Sequence, residues 1–316
     1  MSTTGKGGEM ADDGVPVTAV MVSYASSRII GESLPPLRSA YKEGLLRCIV
    51  VDNASPDGTA DRVARDHPWV NLVRSPGNLG YGRGCNLGFE GVRTPYVLFM
   101  NADVIIGPDA IRELLVFLQS HERAGMVAPA TQLGRFGHQF SGGTLTPWSL
   151  VGMATGIRGL RPKQRPVRPG EDPFKTDWLC GAVMLARSEA IREVGGFDPR
   201  FFLYFEETDL CRRLRAAGWD LWAVGAALAT HFLGQSARQV DTSLANGECL
   251  SDHYYRSRYY YLSKHFGRLA AAASETGELV AKGSRDLLRA LLRRPAKHEL
   301  RNRLKAPLFR WPERIA

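Results

Sequence analysis

Apolar runs of strand length alternate with helical patterns in the first part of the chain. Five segments of strand length are predicted at residues 15–24, 45–55, 70–76, 95–106 and 125–133, and the near-continuous apolar run at 15–24 suits a parallel strand buried on both faces of a sheet. Helices are predicted between them, the first at about residues 29–43. This alternation predicts an α/β fold with a mainly parallel sheet. Ligands of such sheets bind beyond the carboxyl ends of the strands.

Another strand and helix are predicted between residues 178 and 218. An apolar run at 178–186 predicts a buried strand, and the sequence GGFDPRF predicts a turn at 195–201. The aromatic run 201–205 then ends in three acids that open a helical pattern: Glu206, Glu207 and Asp209. Acids in a first helical turn interact favourably with the helix dipole. Alternatively, the aromatic surroundings raise a carboxyl pKa and suit a general base.

The other segments have different patterns. Residues 134–176 are rich in Gly and Pro and show no periodicity, so we predict a long loop that is mobile or closes over an acceptor. A strand leads to His231, and an aromatic, basic helix is predicted at 251–267. Two basic amphipathic helices broken at Pro295 follow. The expected organisation is a loose tail at 1–14, one domain at 15–250 and a helical extension at 251–316.

Charge separates the extension from the rest of the chain. Residues 1–250 hold 26 Lys and Arg and 26 Asp and Glu, so the net charge of +9 lies entirely in residues 251–316. Residues 1–250 carry no net charge and contain no recognisable nucleic-acid-binding motif, which argues against nucleic-acid binding. Five scattered cysteines and an N-terminus without an apolar core predict a cytoplasmic protein. The absence of a long apolar run predicts no membrane-spanning helix.

The basic extension has two interpretations. Its helices pack on the body or on a second subunit of a homodimer, or they form a platform on the inner face of an anionic membrane. In the second case the lipid-facing side chains are Leu288, Leu291, Leu292, Leu300, Leu304 and Trp311.

Polar side chains end two of the predicted strands. Asp52 and Asn53 follow the second strand, and Asn101 and Asp103 follow the fourth. Strand-end acids shape turns and cap helices, and they also bind ligands at this edge. Asp103 suits Mg²⁺ or Mn²⁺ held jointly with substrate phosphates, and His231 is either structural or a second metal ligand.

The sequence NLGYGRGCNLG contains four glycines in a turn that follows the third strand. It does not match the GxGxxG dinucleotide fingerprint, which follows a first strand, so a dehydrogenase is disfavoured. The glycines still allow close approach of a backbone to a diphosphate. A nucleotidyltransferase is also disfavoured, because VSYASSRII after the first strand has no glycine-rich basic loop.

Together these motifs resemble the inverting glycosyltransferases of family 2, with the GT-A fold, and in particular their bacterial rhamnosyltransferase-like branch. The resemblance covers about residues 17–265. It is carried by VSY at 22–24, VVDNAS at 50–55, NLGYGRGCNLG at 78–88, MNADV at 100–104, the stretch 181–219 and the histidine of HFLGQS.

The resemblance implies a role for each motif. Nucleotide and donor sugar would lie against Val22, Ser23, Tyr24, Asp52, Asn53, Asn78, Gly80, Tyr81, Gly84, Asn86, Asn101, Ala102 and Asp103. Asp103 and His231 would hold Mg²⁺ or Mn²⁺. The acceptor would lie near Trp178, Cys180 and Gly181. The base would be Glu207, with Glu206 and Asp209 as alternatives. Two positions depart from the family pattern, because Asn101 replaces the first Asp of the DxD motif and Glu207 replaces an Asp.

These roles imply an inverting single displacement. The expected donor is dTDP-L-rhamnose, or alternatively a UDP-hexose or UDP-galactofuranose. The expected acceptor is a cell-envelope glycan or a polyprenyl-linked precursor. A hypothesis of another class is a catalytically silent scaffold at the membrane, suggested by the two departures and the basic extension.

Overall fold

The computed structural model describes residues 14–232, 248–295 and 298–309. The predicted tail at 1–14, apart from Gly14, lies outside these residues, as does Trp311. The amino-terminal half alternates strands and helices. Its elements are β1 Val17–Ser23, α1 Ile30–Lys42, β2 Leu46–Asp52, α2 Thr59–Asp66, β3 Asn71–Arg74, α3 Tyr81–Phe89, β4 Tyr96–Asn101, β5 Val104–Ile106, α4 Pro108–Ser120 and β6 Ala124–Gln132.

The carboxyl-terminal half adds strands to the same sheet and then becomes helical. Its elements are β7 Phe140–Gly142, α5 Pro147–Thr155, β8 Gln164–Pro166, β9 Phe174–Thr176, β10 Val183–Arg187, α6 Ser188–Glu193, α7 Glu206–Ala216, β11 Asp220–His231, α8 Glu248–Phe266, α9 Arg268–Leu291 and α10 Glu299–Lys305. The helices predicted on both sides of Pro295 correspond to α9 and α10. No helix within the described ranges is both long and apolar enough to cross a membrane.

The large sheet has the strand order β3-β2-β1-β4-β10-β6-β11-β5, and β9 pairs with β11. Strands β3, β2, β1 and β4 are parallel. Strand β10 runs antiparallel between β4 and β6, so β6 and its parallel neighbour β11 point the same way as β1. Six of these nine strands therefore share one direction, which confirms the predicted α/β fold with a mainly parallel sheet.

Alternation along the strands builds a core on each face of the sheet. On β1, Ala19 and Met21 pack in the cluster that contains α1 and α4, whereas Val20 and Val22 pack in the opposite cluster with α3 and α7. Burial on both faces explains why the run is apolar without alternation. A third cluster joins α5, α8 and α9 to the loop before α7 through Phe201 and Phe205.

The prediction of a long loop at 134–176 is wrong. The segment contains α5 and three short strands, and β7 pairs with β8 while β9 joins the sheet. Some of its Gly and Pro residues mark the ends of these elements. Pro147 occupies the first turn of α5, and Gly156 ends that helix with a left-handed backbone.

The strand predicted at 178–186 is shorter in the structure. Strand β10 begins only at Val183. Residues 178–182 lie before it, and Gly181 there faces helix α7: a Cβ on Gly181 would stand 3.1 Å from Cβ of Glu207. The apolar pattern marks burial, but it does not distinguish a strand in the sheet from an extended segment packed against a helix.

Candidate active site

Register places three polar side chains at one edge of the sheet. Ser23 pairs with Asp52, and Val22 pairs with Asn101, so the carboxyl ends of β1, β2 and β4 coincide. Asp52 is buried, and its carboxylate accepts hydrogen bonds from the Ser55 backbone N–H (3.0 Å) and, more weakly, the Ser23 hydroxyl (3.5 Å). The edge is therefore assembled as the sequence predicted, with Asp52 also shaping the turn that follows.

Asn53 belongs to the loop scaffold rather than to a ligand surface. Its amide nitrogen donates to Asn78 Oδ1 and to the Gly80 carbonyl, and its amide oxygen accepts from the Leu79 N–H and the Ser75 hydroxyl. All of these bonds hold residues 75–80 against the end of β2. The expected nucleotide contact of Asn53 is thus corrected: its hydrogen-bonding capacity is used within the protein.

The glycine-rich turn also serves the packing of the protein. Gly80 has a φ of 79°, and a Cβ there would stand 2.1 Å from the carbonyl oxygen of Phe202. A Cβ on Gly84 would stand 2.8 Å from Val22 Cγ1. The amide of Asn86 bonds both backbone polar groups of Phe197. Gly84 and Asn86 thus contribute to close packing between α3, β1 and the loop before α7, and their expected contact with the nucleotide or sugar stays a prediction.

Helix α7 begins at the acid pair that the sequence singled out. Tyr204 and Phe205 both have left-handed backbones, with φ of 67° and 68°, and they turn the chain into the helix. Glu207 is partly exposed, and its Oε1 accepts hydrogen bonds from Trp178 Nε1 (3.1 Å) and Thr208 Oγ1 (3.0 Å). Glu206 is 5% exposed, and its Oε2 has no hydrogen-bond partner within the described residues.

The two glutamates differ in their electrostatics. Burial, reinforced by the charge of Glu207, raises the pKa of Glu206 well above its usual range. Burial also raises the pKa of Glu207, but the hydrogen bonds from Thr208 and Trp178 oppose the rise. Two adjacent carboxyl groups in apolar surroundings do not both ionise easily. The pKa of Glu206 is raised further than that of Glu207, so Glu207 is the member of the pair that ionises more readily.

Asp209 does not belong to this pair. It is fully buried and contacts three basic side chains, Arg213 (2.7 Å), Lys264 (2.6 Å) and His265 (2.7 Å). Burial alone would raise the pKa of Asp209, but the hydrogen bond with His265 and the charges of Arg213 and Lys264 lower it. A low pKa and full burial make a poor general base, so the expected catalytic role of Asp209 is corrected to joining α7 to α8.

The expected acceptor-side residues lie beside Glu207. The hydroxyl of Tyr81 donates to the Gly181 carbonyl (2.9 Å), which fixes residues 178–182 against α3. Cys180 is a free thiol, and burial raises its pKa to about 12, so it is not a nucleophile. Trp178 contributes its indole to the wall and its N–H to Glu207.

A cavity of about 430 Å³ opens in front of Glu207. Four aromatic side chains, Arg161 and Gln164 contribute to its wall, and Glu207 is its only acidic lining residue among those that the structure describes. The full lining is Gly143, Thr144, Leu145, Met153, Arg161, Pro162, Gln164, Trp178, Tyr204, Phe205, Glu207, Thr208 and Tyr254.

The sequence flagged some of these residues but not others. The aromatic run at 201–205 and Trp178 stood out in the sequence. Thr144, Leu145 and Tyr254 carried no separate signal, because they reach the cavity from α8 and from the segment before α5 only through tertiary packing.

Asp103 and His231 form the pair expected at a metal. His231 Nε2 lies 3.2 Å from Asp103 Oδ1, and both side chains are buried at the edge of the sheet. Nδ1 of His231 is buried without a hydrogen-bond partner within the described residues. One carboxylate and one imidazole fit a divalent cation whose other ligands come from a diphosphate and water. No group of three or more His, Cys, Asp or Glu in the described part of the chain is arranged to hold a metal alone.

The fold matches solved glycosyltransferases. GalNAc-T7 with UDP, GalNAc and Mn²⁺ aligns with a TM-score of 0.56 at 14% identity, covering 80% of this chain and 51% of that one. A mannosyltransferase from Pyrobaculum calidifontis in complex with GDP-Man and Mn²⁺ aligns with a TM-score of 0.52 at 16% identity, covering 86% of this chain and 76% of that one. This likeness shows that the chain has the GT-A fold.

The family follows from the sequence comparison. The model of the family described as Glycosyl transferase family 2 matches residues 18–183, more than half of the chain, and the protein belongs to this family. It is 29% identical over 313 residues to N-acetylglucosaminyl-diphospho-decaprenol L-rhamnosyltransferase of Mycobacterium tuberculosis, covering 92% of this chain and 97% of the relative. It is 26% identical to Rhamnosyltransferase WbbL of Escherichia coli over 206 residues, covering 62% of this chain and 78% of the relative.

Proposed function

We propose that this glycosyltransferase moves L-rhamnose from dTDP-L-rhamnose, with inversion, to a polyprenyl-diphosphate-linked or polysaccharide acceptor of the cell envelope. Two relatives named as rhamnosyltransferases support the donor, and one of them is named for an acceptor that carries N-acetylglucosamine on a diphospho-decaprenol. Such an acceptor would hold the enzyme at the inner face of the cell membrane.

The observation that carries the proposal is the position of Glu207. Its carboxylate lines the cavity and is oriented by Trp178 and Thr208, and it follows directly on Glu206, whose pKa burial raises well above its usual range. Aromatic walls of this kind bind the apolar faces of sugar rings, and a single fixed carboxylate among them suits proton abstraction from a hydroxyl.

The chemistry then needs one displacement. Glu207 accepts the proton of the acceptor hydroxyl while the hydroxyl oxygen attacks the anomeric carbon and the bond to the nucleoside diphosphate breaks. Attack opposite the leaving group inverts the anomeric configuration. Glu206, kept protonated by burial, leaves the charge of the pair on Glu207. Asp103 and His231 would hold the divalent cation, which offsets the negative charge of the departing diphosphate when bound.

The sheet edge would hold the nucleotide. Asp52 lies at the end of β2, paired with Ser23 of β1, and Asn101 lies on β4 at the other side of β1. A carboxylate at this edge accepts hydrogen bonds from a base or ribose. Tyr24 and Ala102 lie at the same edge, directly after β1 and β4. For the basic helices at the carboxyl end, a subunit interface and a contact with the membrane are the two alternatives.

The test is turnover with a panel of donors. Purified protein is given a polyprenyl-diphosphate-linked N-acetylglucosamine together with dTDP-L-rhamnose, UDP-glucose or UDP-galactofuranose, with Mn²⁺ present. We expect rhamnosyl transfer only, and an anomeric configuration opposite to that of the donor by NMR. If the protein turned over only a UDP-sugar, the donor would be that UDP-sugar and not dTDP-L-rhamnose. Retention of the anomeric configuration would refute the single displacement.

A further inference from the structure

Helix α5 and the chain after it carry exposed apolar side chains next to the cavity. Trp148 is 72% exposed, Ile157 is 53% exposed, and Met153 and Leu160 are also exposed. A tryptophan exposed to this extent is uncommon on a protein surface that contacts only solvent. These four side chains and the basic residues of 158–168 are called here the α5 face.

The helix is held rigidly under these side chains. Thr146 and Ser149 form a reciprocal capping box at its start, so its first turn is fixed. Leu150 and Ala154 are buried, and a Cβ on Gly277 of α9 would stand 3.4 Å from Val151 Cγ2. One side of α5 thus packs on α9, and the opposite side presents Trp148 and Met153 to the surroundings.

The charge around the apolar side chains has one sign. Residues 144–170 contain five basic residues and no acid. Arg158, Arg161 and Lys163 are exposed, and none of the three takes part in an ion pair found among the described residues. Exposed Trp, Ile and Leu flanked by unpaired basic residues is the composition of a segment that lies in the interface of an anionic membrane.

The α5 face is continuous with the active-site cavity. Met153 and Arg161 belong to both, since they line the cavity together with Glu207. A substrate that stays anchored in a bilayer would therefore enter the cavity from this face without leaving the membrane surface.

We propose that the α5 face docks the enzyme on an anionic lipid bilayer, with Trp148 and Ile157 inserted among the lipids and Arg158 and Lys163 on their phosphates. The lipid-linked acceptor of the proposed function gives this docking its purpose, but the docking rests on the exposed side chains and the charge alone. It differs from a platform on the carboxyl-terminal helices, where Leu300 packs against α9: a Cβ on Gly283 would stand 3.3 Å from Leu300 Cδ2.

The test is flotation of the full chain with vesicles. We expect binding to vesicles rich in phosphatidylglycerol and little binding to phosphatidylcholine alone. The double variant Trp148→Ala/Ile157→Ala should bind about tenfold or more weakly, because two inserted side chains are lost. Arg158→Glu/Lys163→Glu should bind more weakly still, by about fivefold for each unit of positive charge lost, and each reversal loses two units. Quenching of tryptophan fluorescence by brominated lipid should fall in Trp148→Phe.

A matched control lies on α9. Leu288 and Leu291 are 54% and 72% exposed, and Leu288→Ala/Leu291→Ala removes a comparable exposed surface outside the α5 face. This variant should bind vesicles as the unaltered protein does. All variants alter exposed side chains, so melting temperatures should agree, and turnover of a short-chain acceptor in solution should be unchanged. That readout keeps a failure of docking distinct from a failure of the proposed function.

Three results would overturn the proposal. One is the absence of binding to phosphatidylglycerol vesicles by the unaltered protein. Another is a loss of binding in the α9 variant but not in the α5 variants. The third is a dimer that Trp148→Ala/Ile157→Ala converts to a monomer without any change in vesicle binding, which would make the α5 face a contact between two copies of the chain.

Discussion

Trp178 Nε1 donates a hydrogen bond of 3.1 Å to Oε1 of Glu207. The indole comes from the segment before β10 and the carboxylate from the first turn of α7, so the bond joins two elements 29 residues apart. It holds the carboxylate at the cavity and lowers its pKa, against the rise that burial causes.

Replacing Trp178 should therefore leave the Glu207 carboxylate less well oriented and raise its pKa. We expect Trp178→Phe to keep the aromatic wall, to lower kcat by about tenfold, and to move the acidic limb of the pH profile of kcat/KM to higher pH, because a hydrogen bond that favours the ionised form is lost. Trp148→Phe, at an exposed position outside the cavity, is the matched control. A profile unchanged in Trp178→Phe would contradict the assignment of Glu207 as the base.

Glu207 should contribute far more to turnover than Glu206. Glu207→Gln removes the ionised base, so we expect kcat to fall by about 10²–10⁴-fold while the nucleotide sugar still binds. Glu206→Gln replaces a neutral acid by a neutral amide, so its loss of activity should be much smaller. Steady-state rates and donor-induced thermal stabilisation measure the two effects. The reverse ranking would assign the base to Glu206.

Ionisation of Glu206 should also lower the free energy of unfolding as the pH rises. Its pKa is raised in the folded protein, so between the ordinary pKa of about 4.3 and the raised value the folded state binds more protons than the unfolded state. The free energy of unfolding then falls by up to about 1.4 kcal/mol per pH unit in that window.

We expect Glu206→Gln to remove this fall. Urea unfolding at about pH 5 and about pH 7.5 should show the variant gaining stability over the unaltered protein as the pH increases. Glu113→Gln, at an exposed position on α4, should show no such pH-dependent difference. If the difference in the free energy of unfolding between Glu206→Gln and the unaltered protein did not increase with pH, Glu206 would be ionised in the folded protein.

Asp209 should matter for stability instead. Asp209→Asn leaves Arg213, Lys264 and His265 without their shared carboxylate, and we expect about 3 kcal/mol of destabilisation in urea unfolding. The pKa of Asp209 is lowered, so its contribution is present above its unfolded pKa and is lost as the pH falls through the folded value. The difference between the two proteins should therefore shrink in acid. Unchanged stability with abolished turnover would return Asp209 to the catalytic candidates.

Donor binding should depend on the divalent cation through Asp103. With Mn²⁺ present, the donor should raise the melting temperature of the unaltered protein, and EDTA or Asp103→Ala should remove most of that rise. Asp109→Ala, an exposed acid at the start of α4, is the control and should behave normally. A donor shift that survives both EDTA and Asp103→Ala would exclude this carboxylate as a metal ligand.

The sequence by itself determined the six parallel strands of the sheet, most helices and the location of the acid pair. Continuous apolar runs require burial on both faces, and the helical spacing after Glu206 requires a helix there, so local patterns were sufficient. Asp52 and Asp103 were also located correctly, because strand ends of a parallel sheet meet at one edge.

Only the tertiary structure decided what each polar side chain does. Asn53 and Asn86 looked like ligand contacts, yet their amides are satisfied by Gly80 and by Phe197. Asp209 and Glu207 lie two residues apart, yet one meets Lys264 from α8 and the other meets Trp178. Burial and the pKa of a carboxyl group depend on partners far away in sequence, and periodicity carries no information about those partners.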